Sequence, residues 1–192
     1  MEENKSSFNR RNFLLGTGAT ALLITTSAPV YSKAPGFLKG AGIYRQLQMY
    51  NGQTNENIKM VYWIEGKYIP DALDEISKFM RDWRQNRWKQ IDKRTINILS
   101  AVHKILETNE PIQLLSGYRT VATNEMLRKR SPRSVSKNSY HTLGMAADVR
   151  VKGVSTNKLA KAGETCRSGG VGRYSRSSFV HFDCAKIRSW GS

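Results

Sequence analysis

Two histidines and one aspartate in the last third of the chain, His141, Asp148 and His181, are the side chains with the most chemistry to offer. Both His141 and His181 fall beside or on segments that read as strands. Side chains alternate faces along a strand, so Asp148 shares a face with Ala146 and Arg150, and His181 shares one with Phe179 and Asp183. If the two strands pair, Asp148 and His181 converge, and a bend containing Gly144 lets His141 fold back toward the same point. Two imidazoles and one carboxylate are ligands of the kind zinc takes, and a fourth tetrahedral place left to water is the layout of a catalytic site. The same residues also suit a metal-free arrangement in which partly buried histidines bond a carboxylate. Spacing alone leaves both readings open. The third histidine, His103, lies at helical spacing between Leu99 and Leu106 and reads as a packed or surface residue.

The elements that must position these residues follow from periodicity. Tyr44 to Tyr50 alternates as a strand, Asn51-Gly52 is a turn signal, and Ile58 to Ile64 and Lys67 to Ile69 read as further antiparallel strands. From Asp71 the period becomes helical through Leu73, Ile76, Phe79, Met80 and Trp83. Asp92 starts a second helix whose buried face is Ile98, Leu99, Val102, Ile105 and Leu106. Pro111 to Leu115 is a short strand ending at Ser116-Gly117, and Thr123 caps a helix through Arg128. A basic loop, Arg128 to Arg133, precedes a strand over Met145 to Val151, a helix over Thr156 to Cys166, a glycine turn at residues 169–172 and a last strand over Phe179 to Cys184. The order is α+β, an antiparallel sheet with helices packed on one side.

Length and composition are consistent with one folded domain: the chain has 192 residues, 39% hydrophobic and 24% charged, which excludes wholesale disorder. Lys and Arg number 31 against 15 Asp and Glu, a net charge of +16, so a polyanionic partner is expected: nucleic acid, anionic lipid or the carboxylate-rich bacterial wall. Cys166 and Cys184 are too few for a disulfide scaffold and lack the pairing of a zinc ribbon; they read either as one disulfide or as buried thiols.

The N-terminus selects among the polyanions. Asn9-Arg10-Arg11-Asn12-Phe13-Leu14 leads into an apolar stretch over Leu14 to Thr26 and ends at Val30-Tyr31-Ser32, the order of a twin-arginine export signal with its cleavage site. The expected organisation is a signal over 1–32, a linker over 33–42 rich in Gly and Pro, and a single domain over 43–192. Cleavage would remove Lys5, Arg10 and Arg11 together with Glu2 and Glu3, so the basicity belongs to the exported domain. In the periplasm or envelope the partner is peptidoglycan, with no specific nucleic acid and membrane contact only transient or through an uncleaved signal.

Ser116-Gly117-Tyr118-Arg119, the run over 124–128, His141-x-x-Gly-x-Ala-x-Asp148, Gly169-Gly170-Val171-Gly172-x-Tyr174, Phe179-Val180-His181-x-Asp183 and Arg188-x-Trp190 occur in that order. Together they resemble the zinc D-alanyl-D-alanine carboxypeptidase-like metallopeptidases, specifically the branch of exported murein endopeptidases, over roughly residues 42 to 190. The resemblance implies a hedgehog and D-Ala-D-Ala-peptidase-like fold acting as a monomer, with His141, Asp148 and His181 as ligands of one zinc ion. It puts Ser116 and Arg119 at the substrate, the guanidinium matching a wall carboxylate with its planar fork. Tyr118, on the opposite face, reads as packing.

The implied reaction is amide hydrolysis of peptidoglycan cross-links by a zinc-activated water. In related carboxypeptidases a general base precedes the last zinc histidine by two or three residues, where this chain has Phe179 and Ser178, neither of which can serve. Asp183 takes its place as the candidate, either as that base or as a carboxylate orienting an imidazole. Alternatives are a D,D- or L,D-carboxypeptidase trimming stem peptides, and a wall-binding module without catalysis.

Overall fold

Alternation between polar and buried side chains in Tyr44–Asn51 (β1) and Glu56–Ile64 (β2) makes an antiparallel hairpin, extended by the short Lys67–Tyr68 (β3). The structure, a computed structural model, describes residues 43–132 and 135–191; the expected signal and linker lie outside the described residues. After the hairpin come Pro70–Phe79 (α1), Lys93–Ile105 (α2), Ile112–Ser116 (β4), Val121–Arg130 (α3), Ala146–Val151 (β5), Thr156–Cys166 (α4), Gly170–Tyr174 (β6), Phe179–Asp183 (β7) and Arg188–Gly191 (β8). The strands form one sheet in the order β3-β2-β1-β4-β5-β7-β6-β8. The α+β class stands. The sheet is mixed, because β1 pairs with β4 and β6 with β8 in parallel while the other neighbours are antiparallel. A parallel pair requires a crossover, which α1 and α2 supply between β1 and β4; strand alternation carries no record of that.

The core lies between the sheet and its helices. Leu47, Met49, Val149, Val180 and Phe182 of the sheet join Ile96, Leu99, Val102 of α2 and Leu159 of α4 in one buried cluster. The Phe182 ring fits against Gly163 of α4, where an added Cβ would come within 2.2 Å of the ring. A mid-helix glycine costs about 1 kcal/mol relative to alanine, but forcing a methyl into that contact costs about 1–3 kcal/mol, so the close approach prevails. Because Val180 and Phe182 point to the helices, Phe179, His181 and Asp183 of the same strand point to the other face. Among the described residues no helix is long and apolar enough to cross a membrane.

Several local expectations are corrected. Of the glycines read as a turn, Gly170 and Gly172 lie in strand β6, where the Asp183, Arg188 and Trp190 side chains fill the space above them, and Gly169 forms the bend before it. The cap of α3 is Thr120, whose hydroxyl accepts the Thr123 amide at 3.1 Å, and Arg128 to Arg130 are its last turn rather than loop. Helix α1 stops at Phe79, so Trp83 sits in a turn closed by an Asp82–Arg87 bridge. The Asp92 cap is as expected, accepting the Arg94 amide at 2.9 Å. Cys166 and Cys184 are buried free thiols, and His103 is half-buried, its Nε2 bonded to the Glu110 carbonyl at 2.8 Å.

Candidate active site

The strand register draws the chemistry into a line. Ser116 of β4 stands opposite Asp148 of β5, Asp148 opposite His181 of β7, His181 opposite Gly172 of β6, and Gly172 opposite Trp190 of β8. One lateral row across five strands therefore runs from a hydroxyl through a carboxylate and an imidazole to an indole.

His141 joins the row from outside the sheet. It sits in a short helical turn, Tyr140–Leu143, that Gly144 ends in the left-handed region at φ 72°. A side chain there would be strained and would also approach the Gln90 carbonyl at 2.7 Å. The reversal lets the His141 carbonyl accept the Arg119 amide at 3.1 Å while the imidazole turns inward. Its Nδ1 lies 2.7 Å from the Gly117 carbonyl, which can only accept, so the proton is on Nδ1 and the Nε2 lone pair faces the carboxylate.

Three donor atoms converge. His141 Nε2 is 3.2 Å from Asp148 Oδ1 and 3.2 Å from His181 Nδ1, and His181 Nδ1 is 2.8 Å from Asp148 Oδ1. A tetrahedral site with metal bonds near 2 Å has edges of about 3.3 Å, so the spacing fits a single zinc-sized ion. The ligand atoms all lie within 4.8 Å of one another, and His141 and Asp148 are buried.

The partners behind these donors fix their orientation. His181 Nε2 donates to Asp183 Oδ2 at 3.1 Å, leaving Nδ1 to face the site. Asp183 is wholly buried, and its oxygens also accept from the Gly170 and Ala185 amides and from Arg188 in a two-pronged pair of 3.0 and 2.6 Å. Burial alone would raise its pKa, but His181, Arg188 and the Ala185 amide hold it far below the usual carboxylate range. Burial pushes His181 down, yet its hydrogen bonds to the Asp148 and Asp183 carboxylates prevail and raise it to about 9. Burial lowers His141, against the pull of Asp148. Asp148 stays ionised because the two histidines outweigh its burial.

Ser116 and Arg119 flank the trio on the β4 side. Arg119 Nε donates to Ser116 Oγ at 2.7 Å, and its Nη2 bonds Asp148 Oδ2 and approaches His141 Nε2 at 3.3 Å. Tyr118 packs against the core. All of the residues singled out in sequence are therefore together, with Asp183 behind His181. The trio opens into a cleft of about 470 Å³. Ser116, Arg119, Arg84 and Leu127 line it on one side, and Tyr174, Phe179 and Trp190 on the other.

Two contributors were not legible as such. Trp190 tilts against the His181 ring at a centroid separation of 5.5 Å and donates from Nε1 to the Tyr174 hydroxyl at 3.1 Å. Asp82, buried in the turn after α1, accepts from the Thr120 amide and hydroxyl, each at 2.9 Å, beside Arg119. An isolated Asp in a turn gives no sequence signal for such a distant partner.

Residues 39–190 match the family described as peptidoglycan L,D-endopeptidase MepK. The chain belongs to this family. The peptidoglycan L,D-endopeptidases MepK of Escherichia coli K12 and of Shigella flexneri are each 37% identical to it over 191 residues, covering 97% of this chain and 100% of theirs. The probable peptidoglycan L,D-endopeptidase MepK of Haemophilus influenzae is 35% identical over 150 residues, 76% of this chain and 78% of its own. The MepK family match agrees with the murein endopeptidase resemblance, and several of the motif residues that carry that resemblance line this cleft.

Proposed function

We propose that the chain is a zinc-dependent peptidoglycan endopeptidase that cuts L,D peptide cross-links in the bacterial envelope, exported by the twin-arginine signal of residues 1–32. The observation that carries this reading is that the cleft holding the His141, Asp148 and His181 trio is lined from both sides of it in the sheet order, by Ser116 of β4 and by Tyr174 of β6 and Trp190 of β8. An endopeptidase must admit chain on both sides of the scissile bond, whereas a carboxypeptidase needs a pocket closed beyond it. The MepK relatives support the same reading through their L,D-endopeptidase names.

His141 Nε2, Asp148 Oδ1 and His181 Nδ1 would hold the ion. When bound, zinc supplies a water of lowered pKa and polarises the scissile carbonyl. The chain's own part is to aim the donors and the substrate. Gly117 and Asp183 lock the two imidazoles through their far nitrogens, the usual outer partners of metal-bound histidines. Arg119 takes the second oxygen of Asp148, leaving Oδ1 for the ion. Arg119 and Ser116 line the cleft on the β4 side, where they would meet substrate. Asp183 acts as the orienting carboxylate rather than the base: its oxygens are spent on His181, Arg188 and two amides, and its low pKa makes it a poor proton acceptor.

Digestion of purified muropeptides tests this function. Cross-linked dimers should disappear and monomers accumulate; shortened monomers with intact dimers would establish a carboxypeptidase instead.

A further inference from the structure

Arg119 is poorly placed to clamp a carboxylate alone. A bidentate grip uses two neighbouring N–H groups, and here Nε is given to Ser116 and Nη2 to Asp148. A second arginine lines the same side of the cleft. Arg84 lies in the turn after α1, which is tied to the site twice: the Met80 carbonyl accepts the Tyr118 amide at 2.8 Å, and Asp82 Oδ2 accepts the Thr120 amide at 2.9 Å. Asp82 Oδ1 also accepts the Arg84 amide at 3.2 Å, so one buried carboxylate sets the backbone of both arginine segments.

The Arg84 guanidinium lies over the Trp83 ring, 4.2 Å from its centroid, a stacking that holds its plane. Among the described residues it has no carboxylate or carbonyl partner for the guanidinium, in contrast to Arg81, Arg94, Arg119 and Arg188, which each pair with an acid. Its surroundings are cationic: partial burial lowers its pKa, Asp82 opposes, and Arg119 and Arg130 lower it further. A cleft wall bearing two arginines and an unspent fork is built for an anion.

We infer that Arg84 binds the free carboxylate on the D centre whose amine forms the scissile L,D bond, making it the specificity residue on the leaving-amine side of the cleft. This rests on the endopeptidase reading. In a cross-link the acceptor diamino acid continues its stem through its other centre, so the carboxyl group beside the scissile nitrogen stays free and charged. Arg119 and Ser116 line the cleft beside the trio, and Arg84 on the same wall takes the carboxylate borne by the carbon attached to the scissile nitrogen. Its planar fork, braced by Trp83, distinguishes that carboxylate from a neutral amide.

The experiment compares a defined cross-linked dimer with its analogue amidated at that single D-centre carboxyl group, using the zinc-loaded full chain and Arg84→Ala. Calorimetry with the released amine product and its amide reads binding without turnover. The wild type should prefer the free carboxylate in kcat/KM and in product affinity by about ten- to a hundredfold, and R84A should lose most of that preference, its loss falling mainly on the free-carboxylate dimer and product. Arg84→Lys, which keeps the charge without the fork, should recover only part of it. Equal losses on both substrates, or an unchanged preference in R84A, would overturn the assignment while dimer cleavage still upheld the endopeptidase. Arg84-dependent product binding by a protein that cuts no dimer would instead remove the endopeptidase reading and keep the carboxylate site.

Discussion

Gly172 and Trp190 face each other across the parallel β6–β8 pair, and the indole occupies the space a side chain at 172 would need, 2.5 Å from where its Cβ would be. The glycine lets Trp190 lie across the strand toward His181. Gly172→Ala should displace the indole, cost about 1–3 kcal/mol of stability and raise KM several-fold while zinc content stays stoichiometric. Thermal denaturation, metal analysis and steady-state kinetics on the same preparation check this; an unaltered KM would mean that Trp190 does not touch substrate.

The two roles considered for Asp183 separate in Asp183→Asn. As an orienting carboxylate, its loss frees the His181 tautomer and leaves Arg188 unpaired, so zinc affinity should fall about 10–100-fold and activity should return in part at saturating zinc. A collapse of kcat with full metal occupancy and unchanged zinc affinity would identify it as the base.

Asp82 supplies a pH test at a carboxylate outside the metal-ligand trio. Burial would raise its pKa, but the nearby Thr123 hydroxyl and the amide and hydroxyl of Thr120 bring it below the ordinary value. A depressed carboxylate contributes stability that is present above its unfolded pKa and is lost as pH falls through the folded value. Asp82→Asn should therefore cost about 1–3 kcal/mol at pH 7, and the gap from wild type should narrow as the pH drops below about 4. Urea denaturation at both pH values measures it; a gap that widens in acid would contradict the sign.

Much of this architecture was legible because it obeys simple periods. The Asp92 cap and the helix over Thr156 to Cys166 followed from capping and 3.6-residue spacing. Asp148 and His181 met because strand alternation put each on the face away from the helices. What escaped depended on distant partners. Gly170 and Gly172 look like a turn until Arg188, Asp183 and Trp190 are seen filling the space above them. The parallel β1–β4 pair depends on a crossover, and Asp82 depends on Thr120, 38 positions away.

The most direct test of the whole account is digestion of a defined L,D-cross-linked dimer by the purified protein after chelation and after zinc is restored, with His181→Ala alongside. The account predicts no cleavage without metal, recovery on adding about one zinc per chain, and no recovery in H181A. Cleavage that survives chelation, or persists undiminished in H181A, would contradict it.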